Sequence, residues 1–166
     1  PVSAEPKARE WVTENIYEGI VDKGTIDMAL LMGGGQEKGV QIELLEGTLA
    51  YTDLGISYFE QMTPVVGIDG AGTFDQHGFY LGVDEGSLAD KIRVTGGKVD
   101  IVDMDKKGET RLLIDVQAEG PVATALNVLD EDPLNYGDKL GFDPAELGGE
   151  STSRLRFELP LVKHLT

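Results

Sequence analysis

The sequence predicts a mainly β fold of the α+β class: a curved, bulged antiparallel sheet with a helix at the N-terminus and short helices near residues 121–146. Stretches in which apolar and polar residues alternate recur along the chain, as in strands with one buried face. Glycine is abundant, at 22 of 166 residues, and closely spaced turn signals are typical of a sheet built hairpin by hairpin. Five glycine-led triplets open extended stretches: Gly24-Thr25-Ile26, Gly47-Thr48-Leu49, Gly72-Thr73-Phe74, Gly86-Ser87-Leu88 and Gly97-Lys98-Val99.

The first element is predicted to be a helix over residues 8–20. Trp11, Ile16 and Ile20 recur there at about helical spacing, which favours a helix with one apolar face.

A strand with period two follows this helix. Ile26, Met28 and Leu30 share one face of it, and the glycine run at residues 33–35 ends it. The same glycines with Lys38 suggest a phosphate-binding loop, but the Lys-Ser or Lys-Thr pair that such a loop needs is missing. A flexible hairpin loop is the preferred interpretation.

The second strand is predicted to be long and curved. Val40, Ile42 and Leu44 alternate with polar residues, and after Leu45 the apolar positions slip by one residue. A slip of this kind is what a β-bulge produces, and bulges bend and twist a strand.

The middle of the chain predicts several short strands, after an ambiguous stretch at residues 53–64. Turns at residues 76–78, 96–97 and 107–108 separate some of them. With the flanking strands, the total is about nine, or some 40 Å of sheet at roughly 4.8 Å per strand. The short strands cover residues 66–74, 78–83, 86–89, 92–95 and 98–103.

The last third contains a strand, a helical segment and a final strand. Residues 111–118 alternate clearly, and a Gly-Pro pair at 120–121 begins a helix, since proline is favoured at the first helical positions. A last alternating strand lies around residues 154–159. The apolar face of the strand over 111–118 consists of Leu112, Ile114 and Val116.

Composition excludes several classes of partner. The net charge of −16 leaves no basic stripe for phosphates, so a nucleic-acid partner is not expected and an anionic membrane surface is disfavoured. No cysteine is present, and no apolar run is long enough to span a bilayer. We expect one domain over residues 1–166, excised from a longer protein, because the chain opens at Pro1 and stops within an apolar segment.

No pattern of residues points to catalysis. The stretch 103–108 resembles the start of a calcium loop, but a lysine stands at the fifth position and Ile114 at the twelfth, where glutamate is required. The acidic cluster near Asp130 is expected to be solvated. His77 and His164 lack a partner at a spacing typical of catalysis. The prediction is a protein that is not an enzyme and that needs no metal or cofactor.

Short landmarks follow one another along nearly the whole chain. They are Trp11, Gly24-Thr25-Ile26, Leu49-Ala50-Tyr51-Thr52, Met62-Thr63-Pro64-Val65, Gly72-Thr73-Phe74, Val99-Asp100-Ile101, Ala118-Glu119-Gly120-Pro121, Asp132-Pro133-Leu134, Gly148-Gly149 and Phe157-Glu158-Leu159-Pro160-Leu161. In this order the chain resembles the repeat-bearing region of AsmA-like proteins of the Gram-negative envelope, of the YhdP type. No membrane helix and no neighbouring repeat accompanies it.

The resemblance implies a role in moving or housing lipid between the inner and outer membranes. Such proteins form elongated β-grooves in the periplasm and are anchored in the inner membrane. The partners implied are phospholipid acyl chains and adjacent repeats of the same chain. The family pattern includes no catalytic residues.

Two functions remain open from the sequence. In the first, an apolar sheet face shields lipid acyl chains, although the same residues would equally form a core sealed by helices. In the second, the domain is a non-catalytic scaffold or interaction module of an envelope assembly, acting through its edge strands. The residues expected to face lipid are Ile26, Met28, Leu30, Ile42, Leu44, Leu112, Ile114 and Val116.

Overall fold

The computed structural model describes residues 13–32, 39–58, 61–106, 109–137, 141 and 143–161. They form one seven-stranded antiparallel sheet in which each strand pairs with the next in sequence. Strands make up 65% and helices 12% of these residues, which confirms the mainly β, α+β class. The strands β1 to β7 span Ile16–Met32, Val40–Ile56, Val65–Asp75, Phe79–Leu88, Ile92–Val102, Arg111–Pro121 and Glu150–Pro160.

Short helices occur where the sequence predicts them. Helix α1 (Val122–Asp130) and a 3-10 turn over Pro144–Glu146 lie between β6 and β7. Pro121 stands directly before α1, as its fixed φ favours. None of the helices in the described part of the chain has the length and apolarity needed to cross a bilayer.

The helix expected over residues 8–20 is wrong in its second half. Residues 13–15 are helical, but Ile16 begins β1 and pairs with Ile56, and Ile20 pairs with Thr52. The β-branched residues in this stretch fit a strand, and pairing with β2 overrides the helical spacing. Trp11 lies outside the described residues.

Strand β2 contains a bulge, but two residues before the predicted position. Ala29 pairs with Leu44 and Leu30 with Ile42, so Glu43 is the extra residue. A bulge there reverses the parity of the residues beyond it. Leu44 therefore lies on the opposite face from Ile42, and its assignment to the same face is wrong.

The structure has seven strands in place of the nine expected, because two pairs of predicted strands are continuous. The predicted strands over 78–83 and 86–89 merge into β4, and those over 92–95 and 98–103 merge into β5. Gly96 and Gly97 lie within β5, with φ of +149° and +147°, and Gly97 pairs with Val116. A Cβ on Gly97 would stand 2.6 Å from the Val116 Cα, so only glycine fits this close approach. The Gly-Gly pair is an irregularity inside one strand.

One face of the sheet, called the inner face below, is apolar from edge to edge. Paired residues of an antiparallel ladder share a face, so the register aligns them in rows. One row crosses every strand through Ile26, Gly47, Phe74, Phe79, Ile101, Leu112 and Leu159. The next row, through Leu49, Leu81 and Ile114, also contains only apolar residues and glycines.

The other face, called the outer face, is largely polar. Thr25, Thr48, Thr73, Tyr80, Asp100, Leu113 and Glu158 form its corresponding row. Six spacings of about 4.8 Å separate the two edge strands, so the sheet is roughly 29 Å wide. This width replaces the larger value expected for nine strands.

Candidate apolar binding face

The inner face is sealed at its centre and open near β1. Leu112 is completely buried and Ile101 is 2% exposed. At the other extreme, the exposed fractions are 72% for Ile26, 52% for Met28 and 45% for Leu30. An apolar surface that stays in contact with water is costly for the isolated chain and marks an interaction site.

The open region includes a two-stranded ribbon. β3 pairs with β2 only from Glu46 onward, whereas β1 pairs with β2 as far as Val40. The end of the β1–β2 hairpin therefore extends beyond β3, and no third strand of the described residues pairs with it. Exposed apolar side chains here include Met28, Leu30, Leu31, Met32, Val40 and Leu44.

The eight residues expected to face lipid fall into four groups. Ile26, Met28 and Leu30 lie on the open part of the inner face, and Ile42 lies there half-buried. Leu112 offers no surface, so its expected exposure is wrong, because it lies in the buried core cluster with Ile101, Met104 and Leu161. Leu44 lies on the outer face. The remaining two, Ile114 and Val116, are half-buried.

Ile114 and Val116 line an apolar pocket of about 60 Å³ in the inner face. One water molecule needs only about 10–15 Å³ measured in this way, so the pocket is a real void. The sequence did not reveal Tyr58, Leu155 or Phe157 as lining residues. Only the register reveals the last two, since Leu155 pairs with Val116 and Phe157 with Ile114.

Helix α1 and the segment around Met62 cover one end of the inner face. Val128 of α1 packs with the buried Tyr58 and Met62 in a cluster that includes Ile92. Val128 is the buried residue of this helix. The cover is local, because the main strand contacts of α1 are with β6 and β7.

A carboxylate fastens this cover. The Thr63 backbone N–H donates to Glu131 Oε2 at 2.6 Å, and the Thr63 hydroxyl donates to Glu131 Oε1 at 2.5 Å. Glu131 directly follows α1, so the two bonds join the helix to the segment that carries Met62.

We expect Glu131→Ala to lower the free energy of unfolding by about 2 kcal/mol, because two hydrogen bonds to a charged group are lost. Binding of a hydrophobic dye to the folded protein is expected to rise as the cover loosens. Urea unfolding and dye fluorescence measure the two effects. Glu146→Ala, at an exposed position on the 3-10 turn, is the control, and equal losses for both variants would contradict the role of Glu131.

Two tyrosines that pack on the inner face have raised pKa values. Burial, and then the nearby Asp84 carboxylate, raises the pKa of Tyr51 to about 12. Burial, and then Glu131, raises the pKa of Tyr58 to about 12. The Tyr51 hydroxyl donates to the Gly82 carbonyl at 2.7 Å. Both phenols therefore stay neutral well above the ordinary tyrosine range.

Several acidic side chains of the described residues form ion pairs or accept hydrogen bonds within turns. No three His, Asp or Glu side chains among them gather to hold a metal ion. Asp103, the first residue of the calcium-like stretch, accepts hydrogen bonds from Lys106 and Arg111, and these hold its pKa below the usual range. His77 Nδ1, in the turn between β3 and β4, lies 3.0 Å from Asp105 Oδ2, in the connection between β5 and β6.

Comparison with protein-family models, with curated proteins and with solved structures gives no match.

Proposed function

We propose that this chain is a segment of an AsmA-like envelope protein that shields phospholipid acyl chains between the inner and outer membranes. The observation that supports it is the inner face, which is apolar across all seven strands and exposed at Ile26, Met28 and Leu30. In this proposal the segment lies in the periplasm, in a protein anchored in the inner membrane. Adjacent repeats of the same chain are further partners in this proposal.

The physical basis is the cost of exposing an acyl chain to water. Each CH₂ group that leaves water gains about 0.8 kcal/mol, so a chain with many such groups must stay covered during transfer. The open part of the inner face, at Ile26, Met28 and Leu30, offers an apolar surface that covers part of such a chain. The pocket beside Ile114 and Val116 adds a second accessible apolar region.

The charge of the chain limits the headgroup. At a net charge of −16 the domain repels anionic lipids at long range. A zwitterionic phospholipid such as phosphatidylethanolamine is therefore the appropriate probe.

We expect Met28→Glu to weaken binding of a pyrene-labelled phosphatidylethanolamine about tenfold. A carboxylate at this position removes contact with about two CH₂ groups, or about 1.6 kcal/mol, and tenfold corresponds to about 1.4 kcal/mol. Pyrene fluorescence measures the dissociation constant. The matched control is Leu31→Glu, because Leu31 lies on the same strand with a similar exposed fraction, 50% against 52%, but on the outer face.

Equal weakening by the two variants would contradict binding on the inner face. No binding by the unaltered chain would instead favour the alternative, in which the domain is a non-catalytic scaffold and the open apolar surface receives a protein.

A further inference from the structure

The β7 edge of the sheet has unpaired backbone along its whole length in the described part of the chain. β7 stands last in the strand order, and β6 is its neighbour. Its pairing with β6 is regular over eleven residues. Natural proteins usually protect such an edge with bulges, lysines or prolines, and here Pro160 stands only at the end of the strand.

The β1 edge differs from it. The register of β1 shifts between Val21 and Lys23, and Glu18 and Gly19 adopt positive φ angles of 58° and 86°. An edge interrupted in this way is a poor template for pairing. The regular edge is that of β7.

The backbone groups that point outward from β7 follow from its two ends. The Leu161 N–H donates to the Thr110 carbonyl at 2.9 Å, and the Val122 N–H donates to the Gly149 carbonyl at 3.0 Å. Odd-numbered residues therefore bond toward β6, and even-numbered residues, including Arg156 and Glu158, direct N–H and C=O to the free edge. Because Pro160 is even-numbered, its missing N–H costs no bond to β6.

The sequence Leu155-Arg156-Phe157-Glu158-Leu159 reads as a palindrome of side-chain type about its centre. When two copies pair antiparallel with Phe157 opposite Phe157, Arg156 of each copy lies opposite Glu158 of the other. Leu155 then lies opposite Leu159. Each cross-strand pair among these five residues is complementary in charge or apolar.

Intrachain ion pairs extend the complementarity. Arg156 Nε lies 3.3 Å from Asp115 Oδ2, and Glu158 Oε1 lies 2.7 Å from Arg111 Nη1. Across the two copies the charges thus alternate in the order Asp115, Arg156, Glu158 and Arg111. No like charges meet directly in the register centred on Phe157.

We propose that β7 is the interface of a two-fold dimer of this chain, centred on Phe157, which joins two seven-stranded sheets into one. The axis stands perpendicular to the sheet, so both inner faces lie on the same side. Arg156 and Glu158 exchange backbone hydrogen bonds with each other across the axis, and the Phe157 pair lies between them on the inner face. The proposal does not depend on lipid binding.

The first test is charge reversal. Arg156→Glu alone makes two carboxylates face each other in both cross-strand pairs, and Glu158→Arg alone makes two guanidinium groups face each other there. Each variant is therefore expected to dissociate at least tenfold more readily. Mixed in equal amounts, the two variants form a heterodimer in which both facing pairs again join a carboxylate to a guanidinium group. Association is therefore expected to recover. Sedimentation over a range of concentrations measures association, and circular dichroism checks that each variant is folded.

The second test fixes the register. The chain lacks cysteine, so Phe157→Cys introduces one thiol per copy at the axis, where facing Cα atoms about 4.5 Å apart suit a disulfide. Leu155→Cys alone is expected not to crosslink, because its counterpart lies four residues away. Leu155→Cys mixed with Leu159→Cys is expected to crosslink, and this pair tests the register even if Phe157→Cys fails to fold. A monomer at every concentration, a dimer indifferent to both charge reversals, or crosslinking by Leu155→Cys alone would overturn the proposal.

Discussion

Leu112→Ala is expected to lower the free energy of unfolding by about 2–5 kcal/mol. Leu112 is completely buried between Ile101 and Leu159 in the apolar row that crosses the sheet. Its neighbours are held by backbone ladders on both sides, so they relax little and a cavity remains. Urea unfolding followed by circular dichroism measures the loss.

Leu113→Ala is the matched control for this substitution. Leu113 is the next residue of β6, has the same side chain, and lies half-buried on the outer face opposite Asp100 and Glu158. Its loss leaves no closed cavity, so we expect less than half the effect. Similar losses for both variants would show that the inner face is not the core.

Gly70→Ala is expected to cost about 2–4 kcal/mol. A Cβ at Gly70 would collide with the Gly82 carbonyl oxygen and stand 2.7 Å from the Tyr51 hydroxyl oxygen. Overpacking costs about 1–3 kcal/mol, and displacing the Tyr51–Gly82 hydrogen bond adds about 1 kcal/mol. The midpoint of urea unfolding is expected to fall accordingly.

The control is Gly148→Ala, because a Cβ at Gly148 meets no atom within 4 Å. That change is expected to be neutral or slightly stabilising, because alanine leaves the unfolded chain less conformational freedom than glycine does. If Gly70→Ala proves equally harmless, the close packing of Tyr51 over β3 is contradicted.

Period-two alternation predicted the sheet, because it depends only on which face of a strand is buried. The strands through Ile26, Ile42 and Ile114 were found this way. The same signal did not place the bulge. The slip became visible at Leu45, whereas the extra residue is Glu43, and only the pairing of Ala29 with Leu44 locates it.

Local spacing also could not separate a helix from a strand at Ile16 and Ile20. These β-branched residues suit both patterns, and the partner strand β2 is more than thirty residues away in sequence. The turn predicted at residues 96–97 is wrong for a similar reason, because it too depends on a partner strand. The pair at Gly96 and Gly97 signals a turn locally, but it serves the close approach of Val116 on β6.

The sequence could not predict which apolar residues lie on an open surface. Met28 and Leu112 carry the same kind of side chain at equivalent positions in the alternation. Met28 is open because β3 stops short of it, and Leu112 is sealed because it lies in the core cluster with Ile101 and Leu161. The cover formed by Val128 and Met62 likewise depends on a long-range contact.

Photo-crosslinking on the β1–β2 ribbon tests the central claim most directly. A photoreactive residue is placed at Met28 or Ile42 on the inner face, and separately at Ala29 or Leu44 on the outer face, and the folded chain is irradiated with phosphatidylethanolamine. Inner-face acyl-chain binding predicts lipid adducts at the first two positions and little at the other two. Adducts of equal yield on both faces, or at none of the four positions, would contradict it.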